Sequence, residues 1–289
     1  MPIKDNLKIC VINGYPAANR KVLDESGVAQ ADDLYKDFFK WHTPNAQLDT
    51  LYIADLDAAL PSGTNINSYD GYAWTGSNLT IYHHDDPRVT RQIEFCRAVF
   101  DAGVPQTGSC WGVQMAAMAA GGTVEKNPKG REWSIARDIQ LTDAGKNHPL
   151  YRGKPEKFDG FIMHLDIVSR IPNDGAVHLA TNAHSYVQAL EVKCGKGTFW
   201  GIQYHPEFNL DAMARLLIAR KEPLTKEGFF KAENEVETLA NKMIELYKNP
   251  QSQELRKALN VGDDVLTREI RQQEFRNWVD YLVLPSMSG

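Results

Sequence analysis

The chain has 289 residues, 43% of them hydrophobic, enough for a packed core in one large domain or two small ones. A formal net charge of -5 without any run of Lys and Arg argues against a nucleic-acid binder and favours a small-molecule substrate. No stretch approaches the roughly 20 apolar residues of a membrane span and no signal peptide follows Met1, so a cytoplasmic protein without membrane partners is expected.

In chain order, residues 7–12 read as a buried strand ended by Asn13-Gly14. Residues 28–42 follow as a helix, with Leu34, Tyr35, Phe38, Phe39 and Trp41 near helical spacing. Strands are expected at 48–53 and 69–75, the second ending at Gly76-Ser77. Pro87 suits the first turn of a helix over 87–102, whose Val89, Ile93, Cys96 and Val99 share a face and which Gly103 stops. A short strand at 104–107 leads to a helix over 111–120, closed by Gly121-Gly122. This alternation predicts an α/β fold with an open, mostly parallel sheet flanked by helices. Residues 123–204 are richer in strands, at 133–141, 158–164, 177–182, 186–192 and 198–204, the last two joined as a hairpin by Gly195-Lys196-Gly197. From 209 onward the periodicity is helical, with Val236, Leu239, Met243 and Leu246 on one face and Phe275, Trp278, Val279 and Leu282 on another. The organisation predicted is a domain over 1–208 and a helical C-terminal extension over 209–289.

The four cysteines form no CxxC pair, so neither a zinc site nor a disulfide framework is suggested. Cys10 and Cys96 read as inert core thiols. Cys110 differs by its context, Gly108-Ser109-Cys110-Trp111-Gly112, in which an apolar strand runs through Gly-x-Cys-x-Gly straight into a helix. That is the pattern of a nucleophile elbow with sulfur as the nucleophile. Glycines two residues either side relieve a tight turn, and the helix N-terminus favours a thiolate. At the end of the 198–204 strand stands His205-Pro206-Glu207. In extended chain, side chains at i and i+2 point the same way, and Pro206 biases His205 to that conformation. An imidazole held by a carboxylate is what a thiol needs as a base. A third element, Trp74-Thr75-Gly76-Ser77-Asn78, places a Gly-containing turn after a strand, where an N–H can face an oxyanion together with the N–H of Trp111. The His83-His84-Asp85-Asp86 run and Lys129-Gly130-Arg131-Glu132 read as solvated charge.

These elements, in this order, resemble the class I (triad) glutamine amidotransferases over about residues 7–208, and most of all the amidotransferase domain of GMP synthase, with which Gly121-Gly122 and His164-Leu165-Asp166 also agree. The resemblance implies a flavodoxin-like sheet, Cys110 as nucleophile, His205 as base and Glu207 as its orienting partner. It implies an oxyanion hole at Gly76, Ser77 and Trp111, and substrate contacts from Gln114, His164, Leu165 and Asp166. No metal or organic cofactor is implied. The chain departs from the family in having Gly76-Ser77-Asn78 where Gly-Gly-Pro is frequent, Leu165 where Gly is frequent, and a bulky Trp111 that would narrow the pocket; it carries no synthetase segment. The expected activity is glutaminase chemistry through a glutamyl thioester, releasing ammonia to a separate synthetase. The alternatives are a self-contained hydrolase of another γ-glutamyl amide, and a non-catalytic regulatory protein on the same scaffold. The extension would cover the sheet, support a homo-oligomer or dock a partner.

Overall fold

A computed structural model describes residues 7–287. Among the described residues eleven strands occur: β1 (Lys8–Ile12), β2 (Gln47–Leu51), β3 (Gly71–Trp74), β4 (Gln106–Ser109), β5 (Thr123–Lys126), β6 (Glu132–Leu141), β7 (Lys157–His164), β8 (Asp166–Arg170), β9 (Ala176–Thr181), β10 (Ala189–Cys194) and β11 (Gly197–Ile202). Nine form one open sheet in the order β2-β1-β3-β4-β11-β10-β9-β6-β7. The first five run parallel to one another, and the remainder continue antiparallel. The predicted hairpin is β10–β11, paired from Ala189↔Ile202 to Cys194↔Gly197. A two-stranded ribbon, β5–β8, has no counterpart in the sequence reading.

Helices α1 (Ala17–Glu25), α2 (Ala31–His42), α3 (Pro87–Ala102), α4 (Trp111–Ala119) and the short α5 (Asp143–Lys146) lie between strands, followed by α6 (Leu210–Ala219), α7 (Lys221–Lys226) and α8 (Glu233–Lys248). Both sheet faces are covered, and β1 shows it with period two. Cys10 and Ile12 join the apolar cluster under α3 and α4, while Ile9 and Val11 join the opposite cluster with Tyr35, Phe38 and Phe39 of α2. No described helix is long and apolar enough to cross a membrane.

The C-terminal helices share the core of the sheet. Phe275, Trp278, Val279 and Val283 lie in the same cluster as β1 and α2, and α6 and α8 pack with Phe161 of β7. Gly71 permits the closest approach: a Cβ there would lie 2.7 Å from the Trp278 ring. A buried polar network reinforces the contact. The Lys154 ammonium pairs with Glu274 at 2.9 Å, with side chains 1% and 0% exposed. Glu274 also accepts from the Tyr204 hydroxyl at 2.5 Å, and that hydroxyl meets Tyr151 at 2.9 Å.

Candidate active site

β4 ends at Ser109 and α4 begins at Trp111, so Cys110 alone makes the turn, with φ 52° and ψ -99°. A non-glycine residue at positive φ is strained, and it persists only where its surroundings hold it. Gly108 is part of that hold. A Cβ at Gly108 would lie 2.7 Å from the carbonyl oxygen of Trp74 and 3.1 Å from Gly112 Cα, so the elbow packs backbone to backbone on the end of β3. The Cys110 N–H donates to Ile202 of β11, at 2.8 Å, which joins the elbow to the strand that leads to His205.

His205 and Glu207 are both buried, 4% exposed. His205 Nδ1 meets Glu207 Oε1 at 2.7 Å, and the ring stacks on Phe208 at 4.5 Å with 9° between planes. Burial works to lower the pKa of His205. The carboxylate of Glu207 and a hydrogen bond with Cys110 outweigh that and raise it from 6.5 to about 10. Cys110, His205 and Gly76 are mutual neighbours, since a Cβ at Gly76 would lie 3.3 Å from His205 Cε1, 3.7 Å from the Tyr15 hydroxyl and 4.0 Å from Cys110 Cβ. The Cys110 sulfur lies 3.6 Å from the carbonyl oxygen of Met163.

Ser109, named in the elbow motif without a role of its own, supports Glu207: its hydroxyl donates to Glu207 Oε1 at 2.8 Å, and its N–H donates to the Tyr35 hydroxyl at 3.0 Å. Its only sequence signal is adjacency to the cysteine. Ser77 turns its hydroxyl to the carbonyl of Gly14 and accepts from the Leu79 N–H, which braces the loop beside Gly76. The Trp111 N–H opens α4, where helix N–H groups have no intrahelical acceptor. Its side chain corrects an expectation. The indole is 1% exposed and donates to Gln92 at 2.8 Å, so it faces the core under α3 and does not narrow the pocket.

Cys110 opens into a pocket of about 290 Å³ lined also by Tyr15, Ser77, Gln114, His164, Leu165 and Asp166. Gln114 donates to the Asp166 carbonyl at 2.8 Å and to Gln203 at 3.3 Å, so it holds the turn between β7 and β8. His164 is similarly committed: Nδ1 meets the Asp166 carbonyl at 2.9 Å and Nε2 meets Glu132 at 3.1 Å. The Asp166 carboxylate accepts from the Tyr82 hydroxyl at 3.1 Å.

Glu132 corrects the second expectation, that residues 129–132 are solvated charge. It is 8% exposed and is bound by His164, Asn182, Ser185 and Gln188. Burial works to raise its pKa, but His164 and Asn182 overcome this and hold the carboxyl below its ordinary range. Arg131 lines the pocket and forms a two-pronged pair with Glu227 at 2.8 and 3.0 Å. Arg220, Pro223 and Leu224, from the corner between α6 and α7, also line the pocket. From sequence none of the three is given a place in the site: Arg220 and Leu224 stand among ordinary helical residues, and Pro223 reads only as a break between helices.

The family model described as Glutamine amidotransferase class-I matches residues 83–222. Gamma-glutamyl-L-1-hydroxyisopropylamide hydrolase from a Pseudomonas species is 34% identical over 289 residues, covering 98% of this chain and 95% of that protein. The glutamine-hydrolyzing GMP synthase of Thermosipho africanus is 31% identical over 159 residues, covering 54% of this chain and 28% of that protein, so the chain spans less than a third of that synthase. A crystal structure of a glutamine amidotransferase from Thermotoga maritima superposes with a TM-score of 0.66 at 18% identity, covering 96% of this chain and 98% of that one. One from Methylobacillus flagellatus gives 0.61 at 20% identity, covering 98% and 94%. At these identities the two structures speak for the fold, an open α/β sheet flanked by helices. The likeness to the Pseudomonas hydrolase along nearly the whole of both sequences, with the family match across the elbow and the His205 strand, establishes that this chain belongs to the class I glutamine amidotransferase family.

Proposed function

We propose that the protein is a self-contained hydrolase of an N-substituted γ-glutamyl amide, in which residues 1–208 carry the chemistry and the helices beyond complete the pocket. The observation that carries this reading is the α6–α7 corner on the rim of the Cys110 pocket. A glutaminase that hands ammonia to a second protein presents its pocket mouth to that protein; here the chain's own helices border it. The Pseudomonas relative, named as a γ-glutamyl amide hydrolase, aligns through these helices as well.

In this reading the Cys110 thiolate attacks the γ-carbonyl carbon, and the N–H groups of Gly76 or Ser77 and of Trp111 face the resulting oxyanion. The carbon–nitrogen bond breaks as His205, held through Nδ1 by Glu207, gives its proton to the leaving amine. A water then attacks the glutamyl thioester and returns a proton to His205. Sulfur leaves as thiolate, and glutamate is released. Leu79, Leu165 and Leu224 supply apolar lining for a substituent on the amide nitrogen.

The test is hydrolysis by the purified protein alone, measured as glutamate and amine released from L-glutamine and from γ-glutamyl methyl-, ethyl- and isopropylamides. Each additional buried methyl group is expected to raise kcat/KM about tenfold. Activity confined to glutamine, and rising when a synthetase is added, would return the assignment to an ammonia-supplying subunit.

A pH prediction follows from His205. Its pKa is raised above 6.5, so its contribution to folding stability is fully present below pH 6.5 and is lost as pH rises through about 10. The proton it donates to the leaving amine is present over the same range. The profile of kcat/KM is therefore expected to show no inflection near pH 6.5 and to fall as pH passes about 10. An activity that climbs through pH 6.5 would instead mark a neutral imidazole acting as base.

A further inference from the structure

Beyond the elbow and its imidazole, the reading above leaves open what holds the amino-acid end of a γ-glutamyl substrate. We propose that Arg220 binds its α-carboxylate, so that the C-terminal helices supply the determinant that makes the site specific for glutamyl compounds. This rests on the hydrolase reading and adds a residue to it.

Arg131 is already engaged by both oxygens of Glu227, and His164 by Glu132 and the Asp166 carbonyl. Arg220 lines the same pocket and has no ion pair and no side-chain hydrogen bond among the described residues, yet its charge acts on the Tyr15 hydroxyl beside Gly76. It is thus the one cation on the pocket wall whose charge is uncompensated among the described residues. A half-buried guanidinium with a free planar fork matches a carboxylate by two parallel hydrogen bonds.

Its position is fixed by backbone. Arg220 is the single residue between α6 and α7, capping the end of one and the start of the other: its N–H donates to the carbonyls of Leu216 and Leu217 at 3.1 Å, and its carbonyl accepts from the Leu224 N–H at 3.1 Å. The Arg131–Glu227 pair fastens the far end of α7 to the opposite wall, and Lys221 fastens the near end to Glu237 at 2.7 Å. The opposite sign is also present, since the Asp166 carboxylate lines the pocket. A γ-glutamyl group carries an ammonium and a carboxylate on one carbon, three carbon–carbon bonds from the carbonyl under attack. Asp166 for the first and Arg220 for the second would orient that carbon while Cys110 takes the carbonyl.

The experiment uses the full chain and two amides, L-γ-glutamyl isopropylamide and 4-aminobutanoyl isopropylamide, which differ only in the α-carboxylate. The wild-type enzyme is expected to prefer the first by a factor on the order of 10²–10³ in kcat/KM, seen chiefly in KM. Arg220→Met should lose that factor on the glutamyl amide and be unchanged on the 4-aminobutanoyl one, and Arg220→Lys should regain part of it. Unchanged hydrolysis of the second amide reports that the elbow is intact, which a folding defect would not allow; for a variant too slow to assay, the rate of Cys110 alkylation by iodoacetamide serves the same purpose. If wild type hydrolyses the glutamyl amide and Arg220→Met retains its kcat/KM within about threefold, the carboxylate assignment is overturned and the hydrolase reading stands. If wild type hydrolyses neither amide, the hydrolase reading falls and takes this assignment with it.

Discussion

Replacing Cys110 with Ala is expected to lower the rate of amide hydrolysis by about 10⁴–10⁶-fold and to leave the unfolding transition nearly unchanged. On the proposed mechanism the loss is large because both bond-making steps pass through the sulfur, and alanine cannot form a thioester. The fold survives because alanine keeps the Cβ that the packed elbow already holds, and only the sulfur of a buried residue, 7% exposed, is removed. Iodoacetamide gives an independent check on wild type. Cys10 is fully buried and its thiol is pushed up to about 12, chiefly by burial, so it alkylates slowly. Cys110, at the start of α4 beside an imidazolium, should react first, and one modified residue should abolish turnover. Hydrolysis by the alanine variant within tenfold of wild type would remove the nucleophile assignment.

The second large effect concerns stability. Lys154→Met is expected to cost about 3–5 kcal/mol in chemical denaturation, because it leaves the Glu274 carboxylate without a cation in a fully buried site. The ammonium also donates to the carbonyls of Ile270 and Arg271 at 2.8 and 3.3 Å, so the variant strips acceptors as well as a charge. The double variant Lys154→Met with Glu274→Leu should recover most of the loss, since no charge is then buried. A double variant destabilised by the sum of the Lys154→Met and Glu274→Leu losses would show that the pair carries no coupling.

What the sequence made legible is the part ruled by short-range geometry. Gly108 and Gly112 around Cys110 announce a bend that only small residues allow, and it occurs there. His205-Pro206-Glu207 reads as an extended i, i+2 pair, but Pro206 and Glu207 form a turn in which the Phe208 N–H donates to the His205 carbonyl at 3.3 Å, and it is this turn that brings Glu207 Oε1 to His205 Nδ1. Helix α1 was missed because Ala17–Glu25 is polar and buries only Leu23. Strand β4 was placed early, at 104–107, because Gln106, Thr107 and Ser109 do not look like core residues. They are buried because each has a distant partner: Trp74 for Gln106, the Trp200 carbonyl for Thr107, Glu207 for Ser109. The same reason hid Glu132, whose four partners lie 32 to 56 residues away. Arg220 was invisible for the opposite reason. The role proposed for it rests on its having no charge partner among the described residues, and such an absence on a pocket wall leaves no pattern in a sequence.

The indole of Trp278 seated on Gly71 has a consequence for how such a protein can be rearranged. Because a strand in the middle of the sheet has surrendered its own side chain to accommodate that ring, the first two-thirds of the molecule cannot be lifted out and grafted elsewhere as a catalytic cassette without leaving a slot over β3. Any chimera built from it, by a laboratory or by recombination, would have to carry the terminal helices along or fill the slot with a larger residue at position 71.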